Sequence, residues 1–261
     1  MYVIKTCKIN DKIEVEKYYD GRYGAPGMPR VKKEKKTPEE MAKQNLWRRC
    51  RDLRRLMELN FQGGDLYLTL TCRTEDRPSL EDAPDVIRQF RDRVARDYKK
   101  QGWEFKYIAT CEVGSRGAVH WHMIINHMQN ANTCSWDIVR KHWTRGRPHM
   151  EPLDDNRDYK QLAEYLVKET AKRIEKEQTI EKLSYMASRN LIRPEEHKEK
   201  RRATRWKENP SIPEGYRLIE SSLVNAVNKF TGYPYQKYTI IRIGKPPAEE
   251  KKRKGGGRGG T

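Results

Sequence analysis

Residues 105–126 read FKYIATCEVGSRGAVHWHMIIN. Two runs of alternating apolar and polar residues flank Gly114-Ser115-Arg116-Gly117, which predicts a β-hairpin. The loop length decides which residues face each other. A two-residue loop of Ser115 and Arg116 needs positive φ at both positions, which is sterically costly. A four-residue loop, Gly114 to Gly117, puts Val119 opposite Glu112. A three-residue loop ending on Gly117 is favoured, because glycine accepts the left-handed conformation. It sets Glu112 directly opposite His120.

That register sorts the side chains. Residues two apart on a strand share a face. Phe105, Tyr107, Ala109 and Cys111 fall on one side with Val119, Trp121, Met123 and Ile125. The preceding segment LYLTLTC, residues 66–72, reads as a strand that adds Leu66, Leu68 and Leu70 to the same side. Glu112, His120 and His122 fall on the other side, with Thr69 and Thr71. The histidines are therefore not core fillers by pattern, and replacing either is expected to spare folding. Two imidazoles and a carboxylate that leave coordination positions open suit a divalent ion acting on an oxygen substrate. Mg2+ or Mn2+ fits a phosphate substrate, and zinc takes the same ligand types. The plainer reading of the His120-Trp121-His122 triplet alone is a pair of hydrogen-bonded surface histidines. His127 reads as a strand-end residue, and His142, His149 and His197 lack a comparable context.

Outward from the hairpin, residues 2–16 alternate as a second hairpin turning at Asn10-Asp11. Residues 21–36 are Gly/Pro/Lys-rich and read as a flexible basic loop. Thr37-Pro38-Glu39-Glu40 is a helix start, and that helix stops near Gly63-Gly64. A second helix is expected over residues 84–100. Ser135 is placed to cap a short helix ending near Gly146, and Asp154 to Asn156 offer caps for another, through Glu175. The expected class is α+β: an antiparallel sheet flanked by helices, with N- and C-terminal appendages. The expected boundaries are 1–60 for the N-terminal hairpin, loop and helix, and 61–180 for the central domain. A basic region of unassigned role follows at 181–244, then a disordered Gly-rich tail at 245–261.

The segment DYKQLAEYLVKETAK, residues 158–172, holds two tyrosines that helical geometry separates. Leu162, Ala163, Leu166, Val167 and Thr170 form one stripe, and Tyr159 lies within it. Tyr165 lies roughly 130° from the stripe centre, beside Gln161, Lys168 and Lys172. A phenol on that lysine-rich face can reach a phosphate, with Lys168 placed to lower its pKa or stabilise a phosphoryl transition state. The plainer reading is an exposed tyrosine whose ring packs on lysine stems.

Composition narrows the partner. Fifty-five Lys+Arg against 37 Asp+Glu give a formal net charge of +18. Such an excess favours a polyanion, because each neutralised phosphate releases counterions. Nucleic acid fits better than an anionic membrane. The five cysteines form no CxxC pair, which argues against a disulfide framework and against a cysteine zinc site. The N-terminus shows no signal peptide, and no segment approaches the ~20 apolar residues of a membrane span. A cytoplasmic location in a bacterial host is the expectation.

Together, LYLTLTC, GAVHWHMII and EYLVK resemble, in order, the three motifs of the HUH endonuclease superfamily, and specifically its rolling-circle replication initiators with one catalytic tyrosine. Trp143-Thr144-Arg145-Gly146 is similar to a WxxG element in replication proteins of small single-stranded DNA phages. The resemblance spans about residues 66–176. Trp121 departs from the aliphatic residue usual there but stays apolar. The resemblance implies a ferredoxin-like or RRM-like sheet with the histidine strand central. It implies a metal held by Glu112, His120 and His122, attack by Tyr165 on single-stranded DNA or an origin hairpin, and Lys168 positioning the phosphate. A 5′-phosphotyrosine link and a free 3′-OH result, with host helicase and polymerase as expected partners. Candidate DNA contacts are Arg116, Arg145, Arg147 and Lys172. A relaxase or single-strand transposase shares this chemistry, and a non-catalytic single-stranded nucleic-acid-binding protein is the reading from another class. No P-loop appears, so unwinding must come from elsewhere.

Overall fold

The computed structural model describes residues 1–20, 35–114, 117–156, 158–177 and 185–244, with the backbone alone for 169–177. The low-complexity tail and all but the last two residues of the expected basic loop lie outside the described residues, as do Arg116 and the side chain of Lys172. In chain order the elements are β1 Tyr2–Ile9, β2 Lys12–Tyr18, α1 Pro38–Asn60, β3 Leu66–Leu70, α2 Ala83–Lys100, β4 Tyr107–Val113 and β5 Val119–Ile125. Then come α3 Ser135–His142, β6 His149–Pro152, α4 Lys160–Glu177, β7 Met186–Ala187, β8 Glu196–Arg201, β9 Tyr216–Leu218, β10 Val224–Val227 and β11 Pro234–Arg242. The class is α+β, with two antiparallel sheets. Among the described residues no helix is long and apolar enough to cross a membrane.

The chain divides into two units, and they differ from the boundaries expected from sequence. One comprises Met1–Lys35 with Glu195–Thr261, the other Lys36–Pro194. The reason is strand pairing. The β1–β2 hairpin turns at Asn10, which takes a left-handed φ of 52°. Its two outer edges pair with β8 and β11, so the terminal segments complete one sheet in the order β10-β11-β2-β1-β8, with β9 also on β11. Val15, Tyr238 and Ile240 form its core. Lys5, Glu16 and Lys237 stand opposite one another on three strands, with ion pairs of 3.1 and 3.2 Å. Helix α1, expected to group with the hairpin, belongs to the other unit.

In that other unit the sheet order is β6-β3-β5-β4-β7. Strands β3 and β4 are both antiparallel to β5, which lies between them, and α2 connects them. The same holds for β5 and β6 around β3, with α3 as the connection. Two split β-α-β units of this kind make a ferredoxin-like sheet. Leu66, Leu68, Leu70, Tyr107, Ala109, Val119, Trp121, Met123 and Ile125 pack with α2 and α3, so the expected core face is present. The opposite face is also covered: Ile108 and Ile124 pack under Leu53, Leu56 and Met57 of α1 and Tyr159, Ala163, Leu166 and Val167 of α4. Strands β6 and β7 extend the sheet beyond what alternation revealed.

Local signals explain most element ends. Thr37 and Glu40 form the capping box of α1, with bonds of 3.2 and 3.1 Å. The β4–β5 turn places Gly117 at φ 77°, and its N–H donates to Gly114 O at 2.9 Å. Helix α3 differs from expectation: Cys134, not Ser135, occupies the cap, with Asp137 accepting from its N–H at 3.1 Å. Ser135 is buried instead, where its Oγ lies 2.6 Å from the Tyr98 hydroxyl and accepts from Met128 N–H at 2.7 Å. The helix ends at His142, because Trp143 turns inward to donate from Nε1 to Thr71 O at 2.9 Å and to pack on Trp121 and Phe90. A Cβ at Gly146 would overlap that same Thr71 carbonyl oxygen. The WxxG element is thus a clasp between the α3–β6 connection and the end of β3.

Helices α2 and α3 are tied by Asp97, whose carboxylate lies 2.8 Å from both Lys141 Nζ and His142 Nε2. The hydrogen bond from Lys141, aided by His142, holds its pKa at about 2. A depressed acid contributes stability that is full above its unfolded pKa of about 3.9 and is lost as pH falls through the folded value. Asp97→Asn should therefore destabilise by about 1–2 kcal/mol at neutral pH. The gap from wild type in urea denaturation should close between about pH 4 and 2; a gap constant across that window would exclude the ion pair as its source.

Candidate functional site

The hairpin register predicted from the loop is the one observed: Glu112 pairs with His120 and Val113 with Val119. Strand β3 lies on the other side of β5 and sets Thr69 opposite His122. Thr110 faces His122 from β4. Helix α4 crosses this face, packing Tyr159 into the core at 3% exposure and leaving Tyr165 42% exposed. The separation of the two tyrosines by helical angle is therefore observed.

Four side chains converge. His122 Nε2 lies 2.8 Å from Glu112 Oε2, and its Nδ1 lies 2.7 Å from the Tyr67 hydroxyl and 3.3 Å from Thr69 Oγ1. The Tyr165 hydroxyl donates to Glu112 Oε2 at 3.5 Å, and its ring meets His122 edge-on at 5.5 Å. Tyr67 stacks parallel to His122 at 5.8 Å. Burial pushes the Tyr67 phenol well above its ordinary pKa, with Tyr165 and Glu112 adding to the shift, so it stays protonated. Tyr67 was not singled out in the sequence, although its place two residues before Thr69 puts it on the histidine side.

His120 packs over Gly114, where a Cβ would come within 3.2 Å of its Cε1. Burial lowers its pKa; Glu112 opposes the shift, while His122 and Arg77 reinforce it. A neutral imidazole is the form that can ligate. Arg77, just after the short 3-10 turn Thr74–Asp76, is a nearby cation that no motif pointed to. Lys168 Nζ lies 3.9 Å from Glu164, one turn back on α4, and so directs its charge there. Arg145 donates to Asp76 O at 3.0 Å, while Arg147 is exposed.

The donor chemistry suits a divalent cation. Glu112, His120 and His122 share one face, and Tyr67 fixes the His122 ring with Nε2 toward Glu112, as outer partners of ligating histidines do. Thr110 Oγ1, buried opposite His122, has no hydrogen-bond partner among the described residues. A proton now links Glu112 and His122 where a cation would stand. Among the described residues no group of three or more His, Cys, Asp or Glu is already drawn together as a metal cage.

One expectation is corrected. His122 is 6% exposed and engaged at both ring nitrogens, so it is part of the packed structure, because α1 and α4 cover the second face of the sheet. His122→Ala leaves the part-buried Tyr67 hydroxyl without this partner and should cost about 1–3 kcal/mol. His120→Ala should cost under about 1 kcal/mol. Equal midpoints for the two variants in urea denaturation would contradict this asymmetry.

No curated protein and no solved structure matches the chain. Residues 65–174 match a family model of replication-associated proteins, the ORF2 type. Over that span, which holds Tyr67, Glu112, His120, His122 and Tyr165, the chain is similar to the replication-associated proteins of that family.

Proposed function

We propose that this chain is a replication-initiation endonuclease of the HUH type, nicking single-stranded origin DNA with Tyr165 as nucleophile. The observation that carries the reading is the convergence of an exposed tyrosine hydroxyl on a His-Glu pair: Tyr165 Oη faces Glu112 Oε2 at 3.5 Å with its ring against His122. The similarity to replication-associated proteins over residues 65–174 supports the role in replication. Glu112, His120 and His122 would hold Mg2+ or Mn2+. Such an ion supplies Lewis-acid polarisation of a phosphate oxygen.

The chain's own groups do the rest. Tyr165 Oη attacks phosphorus, losing its proton; the bond from phosphorus to the 3′ oxygen breaks, and that oxygen takes up a proton. The 5′ phosphate stays on the tyrosine, which conserves the phosphodiester bond energy for later rejoining. Helix α4, anchored by Tyr159, Ala163 and Leu166, keeps the phenol at the pair. Tyr67 orients His122. The free 3′-OH primes host polymerase, with a host helicase unwinding. A relaxase or single-strand transposase would use the same nick.

Tyr165→Phe should stay folded, bind single-stranded DNA and form no covalent adduct, while Tyr159→Phe and Tyr67→Phe still form one. Denaturing gels with oligonucleotides labelled on the 3′ side of the nick, followed by peptide mapping, read this directly. An adduct unchanged in Tyr165→Phe overturns the assignment.

Tyr67 is a positioning residue, and its loss should act through the ion. Tyr67→Phe should raise the Mn2+ concentration for half-maximal nicking about 10–100-fold, with the rate restored at saturating Mn2+. A lowered rate with an unchanged metal requirement would assign Tyr67 a purely packing role. Full nicking by wild type in excess chelator would remove the metal from the proposal.

A further inference from the structure

A cavity of about 780 Å³ opens beside α3, between that helix and edge strand β6. Its size lies within the roughly 300–1,000 Å³ typical of small-molecule sites. Its walls include Arg73, Arg140, Arg147 and His149, with Trp136 and Met150, and no carboxylate. Arg73 is already engaged by Asp76 at 2.7 Å. Arg140 and Arg147 are exposed and make no ion pair among the described residues. Trp136 is half-buried, packed by one side on the core formed with α2 and α3.

Two uncommitted guanidinium groups beside a half-exposed indole match a particular chemistry. Guanidinium groups bind phosphate through paired N–H donors, and an indole face stacks on any base without reading its identity. We infer that this cavity is a second DNA subsite, taking one nucleotide of the single strand away from the cut phosphate. Arg140 and Arg147 hold the phosphate, and Trp136 stacks the base. The identity of the ligand rests on the nicking proposal; the anion-and-aromatic character of the cavity does not.

The cavity is joined to the tyrosine site by one strand. The Thr71 hydroxyl donates to Arg147 O at 3.4 Å, and Thr69, one strand repeat or about 7 Å away, reaches His122. The clasp formed by Trp143 and Gly146 fixes the loop that carries Arg147 to the end of β3. The WxxG element thereby presents a phosphate-binding arginine at a set place on the strand that borders the histidine strand.

The test uses the full chain and fluorescently labelled oligo-dT20. Arg140→Ala/Arg147→Ala should weaken binding about tenfold at 50 mM salt and flatten the salt slope by about 1.4, two contacts at ~0.7 each. Arg88→Ala/Arg96→Ala, an exposed pair on α2 with the same charge loss, should change affinity by no more than about twofold. Quenching of tryptophan fluorescence by dT20 should fall in Trp136→Phe. Equal affinities for the two double variants overturn the subsite, even where the wild type forms its tyrosine adduct. Weakened dT20 binding by the cavity variant, in a protein that forms no adduct with any substrate, upholds the subsite and overturns the nicking proposal instead.

Discussion

The register of the β4–β5 hairpin depends on Gly117, which takes the left-handed conformation at the third position of the turn. A strand's side chains alternate, so a shift of one residue moves every one of them to the other face. With one more residue in the loop, Glu112 would stand beside Val119 and leave the histidines without their acid. The turn thus decides two things at once. It brings the apolar residues of three strands into one core, and it brings an acid opposite an imidazole. Selection on either requirement holds the other in place.

The two faces of this sheet are used differently. The face under α2 and α3 is apolar along its length. The face under α1 and α4 changes character along the strands, from Ile108 and Ile124 in the core, through Thr110 and His122, to Glu112 and His120 near the turn. The polar cluster therefore sits where packing gives way to solvent. Helix α4 makes the same crossing, from Tyr159 in the core to Tyr165 at the cluster. Mounting the phenol on a rigid element that is packed one and a half turns away is how a reactive group is held in position without a loop.

Much of this was legible because the relevant periods are short. Alternation over residues 105–126 was enough to fix the core face and the pairing of Glu112 with His120, and the 3.6-residue period separated Tyr165 from Tyr159. What alternation cannot show is what covers a face. The second core over Ile108 and Ile124 comes from helices distant in sequence, so His122 read as off-core although it is buried. Strand β6, at four residues, is too short to display a period. The terminal sheet was missed for a similar reason: β8 reads EHKEKR and is exposed along its length, so it is held by backbone pairing with β1 and carries no apolar signature. Cys134 took the cap expected of Ser135 because the buried Tyr98 and Met128 recruit the serine hydroxyl.

The division of the chain also sets an order in time. The unit of residues 36–194 is continuous, whereas the other needs both β1–β2 and the strands that follow residue 195. An isolated two-stranded hairpin is at best marginally stable in water. During synthesis the β1–β2 hairpin emerges before the tyrosine-bearing unit, yet it must wait for β8 and β11. By then the tyrosine-bearing unit already has its whole sequence outside the ribosome. The strand pair made earlier is thus completed later, and the outer sheet closes only after the inserted unit has had the chance to fold.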